Sequence, residues 1–424
     1  MKKIIINGGN KLTGTIPISG AKNSAVAIIP AAILCDEVSS IYNVPNISDR
    51  DALIDILHLL NCETSLNGDL LKIDSSKLEN KKIPLELSKK MRASYYFMGA
   101  LLSKFKHVEM YFPGGCNIGK RPIDIHIKGF EALGAKVKIK GDLYTIDAEE
   151  LNGTNITLDF ASVGATINIM FAAVKAKGKT VIRNAAREAE IVNIASFLNN
   201  MGAKISGAGT SIIRIEGVEH LHRTMIEVIP DRIEAATYII LGAMVGDNLK
   251  IENIIPEHID ALLSKLKDMN VKYEVDETSV TISKCDDVKA TNIRTEVYPG
   301  FVTDMGQPIS VLLTQAHGVS LFEETIWENR MGHVKYLNKM GANIKNGNTN
   351  SVTIGPTPLY GCEVEATDLR GGAAMVLAGL VAEGTTTITS IEHILRGYDS
   401  IITKLKNVGA DIKIEDDEKD LVNM

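Results

Sequence analysis

The sequence feature that most constrains the fold is a short motif, called here the recurring phrase. It occurs six times, each time where a predicted helix ends and a strand follows. Four copies are clear (LGAKV, MGAKI, MGANI and VGADI), and two are weaker (MNVKY and LNCET). Because Gly and Asn readily adopt the left-handed conformation that ends a helix, each copy predicts a helix C-terminus. The Gly or Asn positions are 61, 134, 202, 270, 341 and 409. A spacing of 68 to 73 residues is regular enough to indicate a repeated structural unit.

A second, more apolar helix is predicted upstream of each copy. These segments are apolar all round rather than along one stripe, which is typical of helices buried on every side. They are SAVAIIPAAIL (24–34), ASYYFMGALL (93–102), ATINIMFAAV (165–174), EAATYIILGAMV (234–245), PISVLLTQA (308–316) and GAAMVLAGLVA (372–382). The helices that carry the recurring phrase, such as IDALLSKLKDMN, are amphipathic and are expected on the outside. The unit is therefore a buried helix, a strand, an amphipathic helix and a strand.

Six such units group most simply as two sets of three, each around its own buried helices. A chain of 424 residues is also too long for one small core, so two α/β domains are expected. The midpoint falls near Pro230, in the short VIPDR segment. The alternative is one ordinary α/β sheet protein with accidental internal similarity, because short apolar helices and strands are easily confused.

Composition excludes several classes of function. The net charge is −6 and no long Lys/Arg block exists, so general binding to nucleic acid or to a membrane surface is not expected. No apolar run reaches the roughly 18 residues of a membrane span. The opening MKKIIINGGN lacks the apolar core of a signal peptide, so a cytoplasmic protein is expected. Five widely spaced cysteines without a C-x-x-C pair predict neither a disulfide framework nor a metal site.

The segment PGGCNIGKRP, residues 113–122, is the strongest candidate for chemistry. Its glycines permit tight turns, and the cations Lys120 and Arg121 lower a thiol pKa and attract anions. Cys116 is therefore a candidate reactive thiol beside an anionic substrate. The spacing also fits the start of a phosphate-binding P-loop, but Arg121 stands where that motif needs Ser or Thr for magnesium.

Other candidates lie where the buried helices begin. Helix N-termini carry unpaired N–H groups and attract anions. Lys22 in SGAKNS is either an anion-binding ammonium or a solvated lysine beside an Asn23 or Ser24 helix cap. Asp304 is either a helix cap or a general base. Arginines at equivalent repeat edges are either surface residues or the lining of an anion site; they are Arg92, Arg232, Arg330, Arg370 and Arg396.

Nine motifs, in this order and at compatible spacing, resemble those of the UDP-N-acetylglucosamine 1-carboxyvinyltransferases, which are enolpyruvyl transferases. The motifs are SGAKNS, PGGCNIGKRPID, SVGAT, NAAREAEI, PDRIEA, TDMGQP, ENR (328–330), ATDLR and RGYDSI. They span nearly the whole chain. The related 5-enolpyruvylshikimate-3-phosphate synthases share the six-unit fold but lack the cysteine loop.

The resemblance implies the enolpyruvyl transferase fold, an α/β fold of two inside-out α/β barrel domains, each made of three repeats of a βαβαββ-type unit. It implies that residues 20–229 form the first domain, which carries the Cys116 loop. Residues 1–19 and 230–424 would form the second, because the N-terminal strand crosses back to complete it. The active site is expected in the cleft between the domains.

The implied reaction moves the enolpyruvyl group of phosphoenolpyruvate to the 3-hydroxyl of UDP-N-acetylglucosamine and releases phosphate by addition and elimination. It opens peptidoglycan synthesis, so roles in cell-wall biogenesis, cell shape, the cell cycle and cell division follow. These two small molecules are the only partners implied, with no cofactor, metal, nucleic acid or membrane, and the oligomeric state is not indicated. The alternatives are a non-catalytic UDP-sugar sensor and a shikimate-type enolpyruvyl transferase.

The resemblance also assigns residues. Cys116 would donate the proton to the methylene carbon and would be the thiol that the antibiotic fosfomycin modifies, and Asp304 is the candidate base. Lys22 and Arg396 complete the catalytic set. The implied substrate-binding residues are Lys22, Asn23, Arg92, Arg121, Pro122, Ile123, Asp124, Ile125, Ser162, Val163, Gly164, Asp304, Ile326, Arg330, Asp368, Arg370 and Arg396. Ser48 and Phe160 stand where some family members have lysine, which weakens any nucleotide contact from position 160.

Overall fold

The computed structural model of the protein describes residues 2–111 and 123–416. Its helices are α1 (Lys22–Ala31), α2 (Ser48–Leu59), α3 (Leu85–Ser88), α4 (Tyr96–Phe105), α5 (Asp124–Ala132), α6 (Val163–Ala173), α7 (Ala189–Asn200), α8 (Arg232–Val245), α9 (Asp260–Asp268), α10 (Gly306–Thr314), α11 (Val334–Lys339), α12 (Leu369–Val381), α13 (Glu392–Leu395) and α14 (Ile401–Asn407). Short 3-10 turns cover Ala32–Leu34, Arg92–Tyr95, Pro256–Ile259 and Thr303–Met305.

Strands alternate with these helices along the chain. They are β1 (Lys2–Asn7), β2 (Thr15–Pro17), β3 (Val38–Tyr42), β4 (Glu63–Asn67), β5 (Leu70–Asp74), β6 (His107–Tyr111), β7 (Lys136–Lys140), β8 (Leu143–Asp147), β9 (Asn155–Thr157), β10 (Lys179–Arg183), β11 (Lys204–Ser206), β12 (Ile212–Glu216), β13 (Met225–Glu227), β14 (Leu249–Glu252), β15 (Tyr273–Asp276), β16 (Ser279–Ile282), β17 (Ile293–Arg294), β18 (Gly318–Glu323), β19 (Ile344–Asn346), β20 (Asn350–Gly355), β21 (Glu363–Glu365), β22 (Thr385–Thr389) and β23 (Asp411–Asp416).

All six predicted helix ends are confirmed. The outer helices α2, α5, α7, α9, α11 and α14 each end two residues before the Gly or Asn of the recurring phrase. That residue has a positive φ in every copy: Asn61 (64°), Gly134 (105°), Gly202 (103°), Asn270 (64°), Gly341 (112°) and Gly409 (104°). The left-handed residue turns the chain out of the helix and into the following strand, which is why the phrase recurs once per unit.

The six apolar segments form the buried helices α1, α4, α6, α8, α10 and α12, as predicted. The boundaries differ by a few residues. Helix α4 is expected from residue 93 but begins three residues later, at Tyr96, because Arg92–Tyr95 form a 3-10 turn, and α12 begins three residues before its expected start at 372. The predicted outer helices present one buried face and one exposed face, as the burial pattern of α9 shows.

Residues 20–111 and 123–229 form one compact unit, called here the 20–229 unit. Its sheets have the strand orders β13-β3-β5-β4, β6-β8-β7 and β11-β12-β10-β9. Helix α4 packs against both α1 and α6. The apolar side chains of these helices and the inner faces of the sheets make one continuous core.

Residues 2–19 and 230–416 form the second compact unit, called here the 230–416 unit. Its sheets have the orders β15-β16-β14-β2, β17-β18-β20-β19 and β21-β22-β1-β23. The first strand of the chain, β1, lies between β22 and β23 and is antiparallel to both, while β2 pairs in parallel with β14. Helices α8, α10 and α12 pack against one another in its core.

A close approach between α4 and α6 depends on Gly99. A Cβ at this position would lie 2.4 Å from the backbone oxygen of Asn168, which cannot move away. The Asn168 side chain also enters the first turn of α4: its Oδ1 accepts from the Gly99 N–H at 2.9 Å, and its Nδ2 donates to the Tyr95 carbonyl at 2.9 Å. These two backbone groups face each other across the first turn of α4, so the Asn168 side chain ties that turn to α6.

We expect Gly99→Ala to lower the free energy of unfolding by about 1–3 kcal/mol, because the added methyl overpacks the α4–α6 contact. Urea denaturation followed by circular dichroism measures the change. Gly332→Ala is the matched control, since its methyl would meet Thr367 side-chain atoms only at 3.4 Å, an ordinary contact. Equal stability changes in the two variants would contradict the close-approach interpretation.

Candidate active site

The cysteine loop lies outside the described residues. Cys116, Lys120, Arg121 and Pro122 all fall within residues 112–122. Their predicted roles therefore stay predictions. Helix α5 begins directly after this segment, with Ile123 as its N-cap, Asp124 in its first turn and Ile125 half-buried.

Lys22 is the first residue of α1, and its ammonium faces a buried carboxylate. Its Nζ lies 3.2 Å from Oδ2 of Asp49, and the Lys22 side chain is only 14% exposed. The alternative of a solvated lysine beside a helix cap is wrong: the N-cap is Ala21 without a side-chain bond, Asn23 is not the cap, and the Ser24 hydroxyl hydrogen-bonds Asn193 instead. The partly buried ammonium is thus held at a defined place on the helix N-terminus.

The N-terminus of α6 is built as the sequence predicts. Ser162 is the N-cap, its Oγ accepts from the Ala165 N–H at 3.2 Å, and Val163 and Gly164 form the first turn. A Cβ on Gly164 would lie 2.6 Å from the Tyr95 hydroxyl, so only glycine fits there. The helix end combines partial positive charge with a backbone that neighbouring groups approach closely.

His126 is a residue that sequence reasoning missed, and it lies against the same helix. A Cβ on Gly164 would also come within 3.0 Å of its Cε1 atom. The ring is 5% exposed, and its Nδ1 lies 3.0 Å from Nδ2 of Asn168. Burial first, and then the charge of Arg92, lower the pKa of His126 to about 3. The imidazole is therefore neutral, and because the Asn168 Nδ2 group is a donor, Nδ1 is its acceptor.

Arg92 belongs to this group. Its guanidinium lies over the Tyr95 ring, with Cζ 5.9 Å from the ring centroid. Burial lowers the pKa of Arg92 from its ordinary value. The structure thus brings Arg92, Tyr95, His126 and the N-terminus of α6 together in the 20–229 unit. The only sequence signal for His126 was its position two residues after Asp124 in the PID motif.

Asp304 is held by two arginines in the 230–416 unit. Arg330 NH2 lies 2.7 Å from Oδ1, and Arg370 approaches Oδ2 with NH2 at 3.1 Å and Nε at 3.3 Å. The guanidinium-bearing side chains are 5% and 2% exposed, so the surface alternative is wrong for both. The helix-cap alternative for Asp304 is also wrong, because the N-cap of α10 is Met305 and no side chain caps it.

Asp368 makes the cap that positions Arg370. Its Oδ1 accepts from the N–H groups of Arg370 and Gly371 at 3.0 Å each, and Gln307 donates to both of its oxygens. Burial alone would lower the pKa of Arg370, but the neighbouring Tyr398 and the Asp304 carboxylate outweigh it and raise that pKa. The N-terminus of α12 and the Asp304 pair therefore form one connected polar cluster.

The remaining predicted residues lie at element ends. Ile326 is half-buried in the turn after β18, and Arg396 is the half-buried C-cap of α13. Arg232 begins α8, is 6% exposed, and has its Cζ 4.8 Å from the centroid of the Tyr298 ring. The surface alternative is wrong for Arg232 as well. Phe160 is 41% exposed and precedes the α6 N-terminus.

Within residues 2–111 and 123–416, no group of three or more His, Cys, Asp or Glu side chains could hold a metal ion. None of the helices in this part of the chain has the length and apolar character that a membrane crossing requires.

Comparison with solved structures defines the class. The enolpyruvyl transferase NikO from Streptomyces tendae superposes with a TM-score of 0.88 at 25% identity, over 97% of this chain and 98% of that one. EPSP synthase from Acinetobacter baumannii superposes with a TM-score of 0.74 at 17% identity, over 98% and 100% of the two chains, which shows the fold alone. The sequence profile of EPSP synthase (3-phosphoshikimate 1-carboxyvinyltransferase) matches residues 6–416. The predicted α/β fold class, that of the enolpyruvyl transferases, is confirmed.

Curated sequences narrow the class. UDP-N-acetylglucosamine 1-carboxyvinyltransferase from Streptococcus pneumoniae serotype 2 is 50% identical over 419 residues, which is 98% of this chain and 100% of that protein. UDP-N-acetylglucosamine 1-carboxyvinyltransferase 2 from Streptococcus pyogenes serotype M1 has the same identity and coverage. The chain belongs to the UDP-N-acetylglucosamine 1-carboxyvinyltransferase family, as its motifs predict.

Burial of neutral His126 predicts an acid-sensitive fold. The unfolded chain binds a proton at this histidine near its ordinary pKa of 6.5, whereas the folded chain does so only near 3. The free energy of unfolding therefore falls as the pH drops from about 6.5 towards 3, by about 1.4 kcal/mol per pH unit for this one residue.

His126→Asn keeps an acceptor near the Nδ1 position but cannot titrate. We expect its free energy of unfolding to fall less steeply between about pH 6 and pH 4.5, by roughly 1 kcal/mol per pH unit, in urea denaturation series. His220→Asn is the control, since that side chain is 95% exposed. An unchanged slope in the His126 variant would show that another group causes the acid sensitivity.

Proposed function

We propose that the protein transfers the enolpyruvyl group of phosphoenolpyruvate to the 3-hydroxyl of UDP-N-acetylglucosamine and releases phosphate. The observation that carries the proposal is the 50% identity to carboxyvinyltransferases that covers all of their length and 98% of this chain. The buried arginines around Asp304, the Lys22 ammonium at the start of α1 and the N-terminal N–H groups of α6 support it, because both substrates are anions.

In the addition step, the sugar hydroxyl attacks carbon 2 of phosphoenolpyruvate while the methylene carbon gains a proton and becomes a methyl group. Asp304 takes the hydroxyl proton, and Cys116 supplies the proton to carbon. In the elimination step, the Cys116 thiolate left by the addition takes a proton back from the methyl group, the C–H electrons form the new C=C bond, and phosphate leaves with the C–O bonding electrons. Arg330 and Arg370 hold both oxygens of Asp304, so its direction is set before the substrate arrives.

Binding is divided among the helix ends. Lys22 and Asn23 at the start of α1, with Arg121 and Arg396, hold the carboxylate and phosphate of phosphoenolpyruvate. The N-terminal turn Ser162–Gly164 of α6 holds the phosphates of the sugar nucleotide through its N–H groups. The rest of the sugar nucleotide is bound by Arg92, Arg121, Pro122, Ile123, Asp124, Ile125, Asp304, Ile326, Arg330, Asp368 and Arg370.

This activity supplies a peptidoglycan precursor. Several further expectations follow from the proposed function and stay predictions. They are the roles in cell shape, the cell cycle and cell division, the cytoplasmic location, a site between the two domains, and the modification of Cys116 by fosfomycin.

The decisive experiment measures phosphate release by the purified full-length protein. We expect release from phosphoenolpyruvate that depends on UDP-N-acetylglucosamine. A second assay replaces the sugar nucleotide with shikimate 3-phosphate. Phosphate release in that assay would favour the shikimate-type alternative, because shikimate 3-phosphate is the acceptor in that reaction. Binding of the sugar nucleotide without phosphate release would favour the sensor alternative and overturn the proposal.

Replacement of Cys116 tests the proposed proton donor. We expect Cys116→Ser to reduce kcat by about 10²-fold or more, because a hydroxyl is a far weaker acid than a thiol. Cys116→Asp keeps measurable turnover, since a carboxyl group can also donate, and it resists fosfomycin. Cys62→Ser is the control, because Cys62 is buried in the 20–229 unit. Full activity of Cys116→Ser would remove the thiol from the mechanism.

A further inference from the structure

Glu324 is a buried carboxylate to which neither the family resemblance nor the proposed mechanism assigns a role. It follows β18 directly and is 4% exposed. Its Oε1 accepts from the backbone N–H of Ile326 at 2.8 Å, from the N–H of Trp327 at 3.2 Å and from the Thr295 hydroxyl at 3.1 Å. Burying a carboxylate costs free energy unless donors surround it, so these bonds fix the turn 325–327 to the end of the strand.

The second oxygen of Glu324 is connected by hydrogen bonds to the proposed base, Asp304. Oε2 accepts from the Thr303 hydroxyl at 2.7 Å. The same Thr303 oxygen accepts from NH1 of Arg330 at 2.7 Å, and NH2 of Arg330 lies 2.7 Å from Oδ1 of Asp304. A threonine hydroxyl has one proton and two lone pairs, so it can donate to Glu324 and accept from Arg330 at once. An unbroken chain of hydrogen bonds thus joins the turn to Asp304.

Thr303 is the second support of the Arg330 guanidinium. The Nε atom of Arg330 is buried and has no hydrogen-bond partner among the described residues. Its plane is therefore set by two contacts, NH1 to Thr303 and NH2 to Asp304. Without the Thr303 hydroxyl, NH1 of the buried Arg330 would lose its hydrogen-bond partner, and Asp304 would be the one described polar group that still orients the guanidinium.

We propose that Glu324 and Thr303 are positioning residues that hold Arg330, and through it the Asp304 carboxylate, in the direction needed to accept the hydroxyl proton. The inference rests on the proposed function. The same chain of hydrogen bonds connects the proposed base to the turn that carries Ile326. Ile326 is expected to contact the sugar nucleotide. Neither residue touches the reacting atoms: both act through Arg330.

Thr303→Val removes the hydroxyl and keeps the shape of the side chain. We expect kcat to fall about 10- to 100-fold with less than about a threefold change in the KM for UDP-N-acetylglucosamine, because only the proton-transfer geometry is lost. Thr303→Ser restores the hydroxyl, so its kcat recovers to within about threefold of wild type. Thr180→Val is the matched control, since the Thr180 hydroxyl is buried in the other unit and has no hydrogen-bond partner within residues 2–111 and 123–416.

Glu324→Gln tests the other end of the chain of hydrogen bonds from Glu324 through Thr303 and Arg330 to Asp304, called here the relay. The carboxamide keeps one acceptor oxygen for the turn, but its NH2 group would face the Thr303 oxygen, so the Thr303 hydroxyl proton would lose the acceptor that now fixes its direction. We expect a kcat loss of similar size to that of Thr303→Val. In the double variant the two losses are not additive, and kcat stays within about threefold of the Thr303→Val value, because both changes break one chain.

The outcomes separate the relay from the proposed function. If wild-type protein releases no phosphate from the two substrates, the proposed function fails and the relay fails with it. If wild-type protein turns over and Thr303→Val has the kcat of Thr180→Val, the relay alone is overturned. A kcat loss that Thr303→Ser does not recover, or fully additive losses in the double variant, also overturns it. Should Thr303→Val not fold, the kcat and KM of Glu324→Gln decide the question by the same criteria.

Discussion

The need to bury helices that are apolar on every side is the constraint on which the rest of the structure depends. Helix α12 illustrates it, because every residue from Arg370 to Leu380 is buried. No single sheet face can cover such a helix, since one side would stay in water. Three buried helices pack together within the 230–416 unit, and its sheets supply the remaining apolar surface. The 20–229 unit follows the same rule with α1, α4 and α6.

Burying the helix bodies leaves polar backbone and side-chain groups at the helix ends. The N-terminal N–H groups need acceptors and attract negative charge. Lys22 and the segment around Asp304 lie at or just before the starts of α1 and α10, and Ser162 and Asp368 are the N-caps of α6 and α12. Two of these ends are capped by the protein itself, through Ser162 and Asp368. The repeat that builds the core thereby also places a helix N-terminus, with its N–H groups, at the start of each buried helix.

The most strongly organised polar group is the cluster around Asp304. Arg330 and Arg370 are almost fully buried, and such charges are tolerated in an interior only when they are paired. Asp304 pairs with both, while Asp368 and the Glu324–Thr303 chain hold the elements that carry them. Orientation rather than net stabilisation is what this arrangement provides, because a carboxylate held on both oxygens cannot swing away.

Much of the fold was predictable from local chemistry. Asn61 and Gly134 show why: the left-handed conformation is a property of single residues, so the helix ends could be read without knowing any contact. Buried helices were equally readable, because uniform apolarity is a property of a short segment. The start of α4 was missed, since a 3-10 turn and a helix differ by hydrogen bonds rather than by composition.

The sequence by itself determined the six units, the ends of their helices and, through its motifs, the family and a set of candidate charged residues. Tertiary structure alone decided which partners those residues take. The amino-acid sequence does not indicate that Asp304 pairs with Arg330 and Arg370 instead of capping α10. It also does not indicate that His126 lies buried against α6. The reason is physical: conformation at a glycine depends on its own backbone, whereas ion pairs and burial depend on residues that only folding brings together.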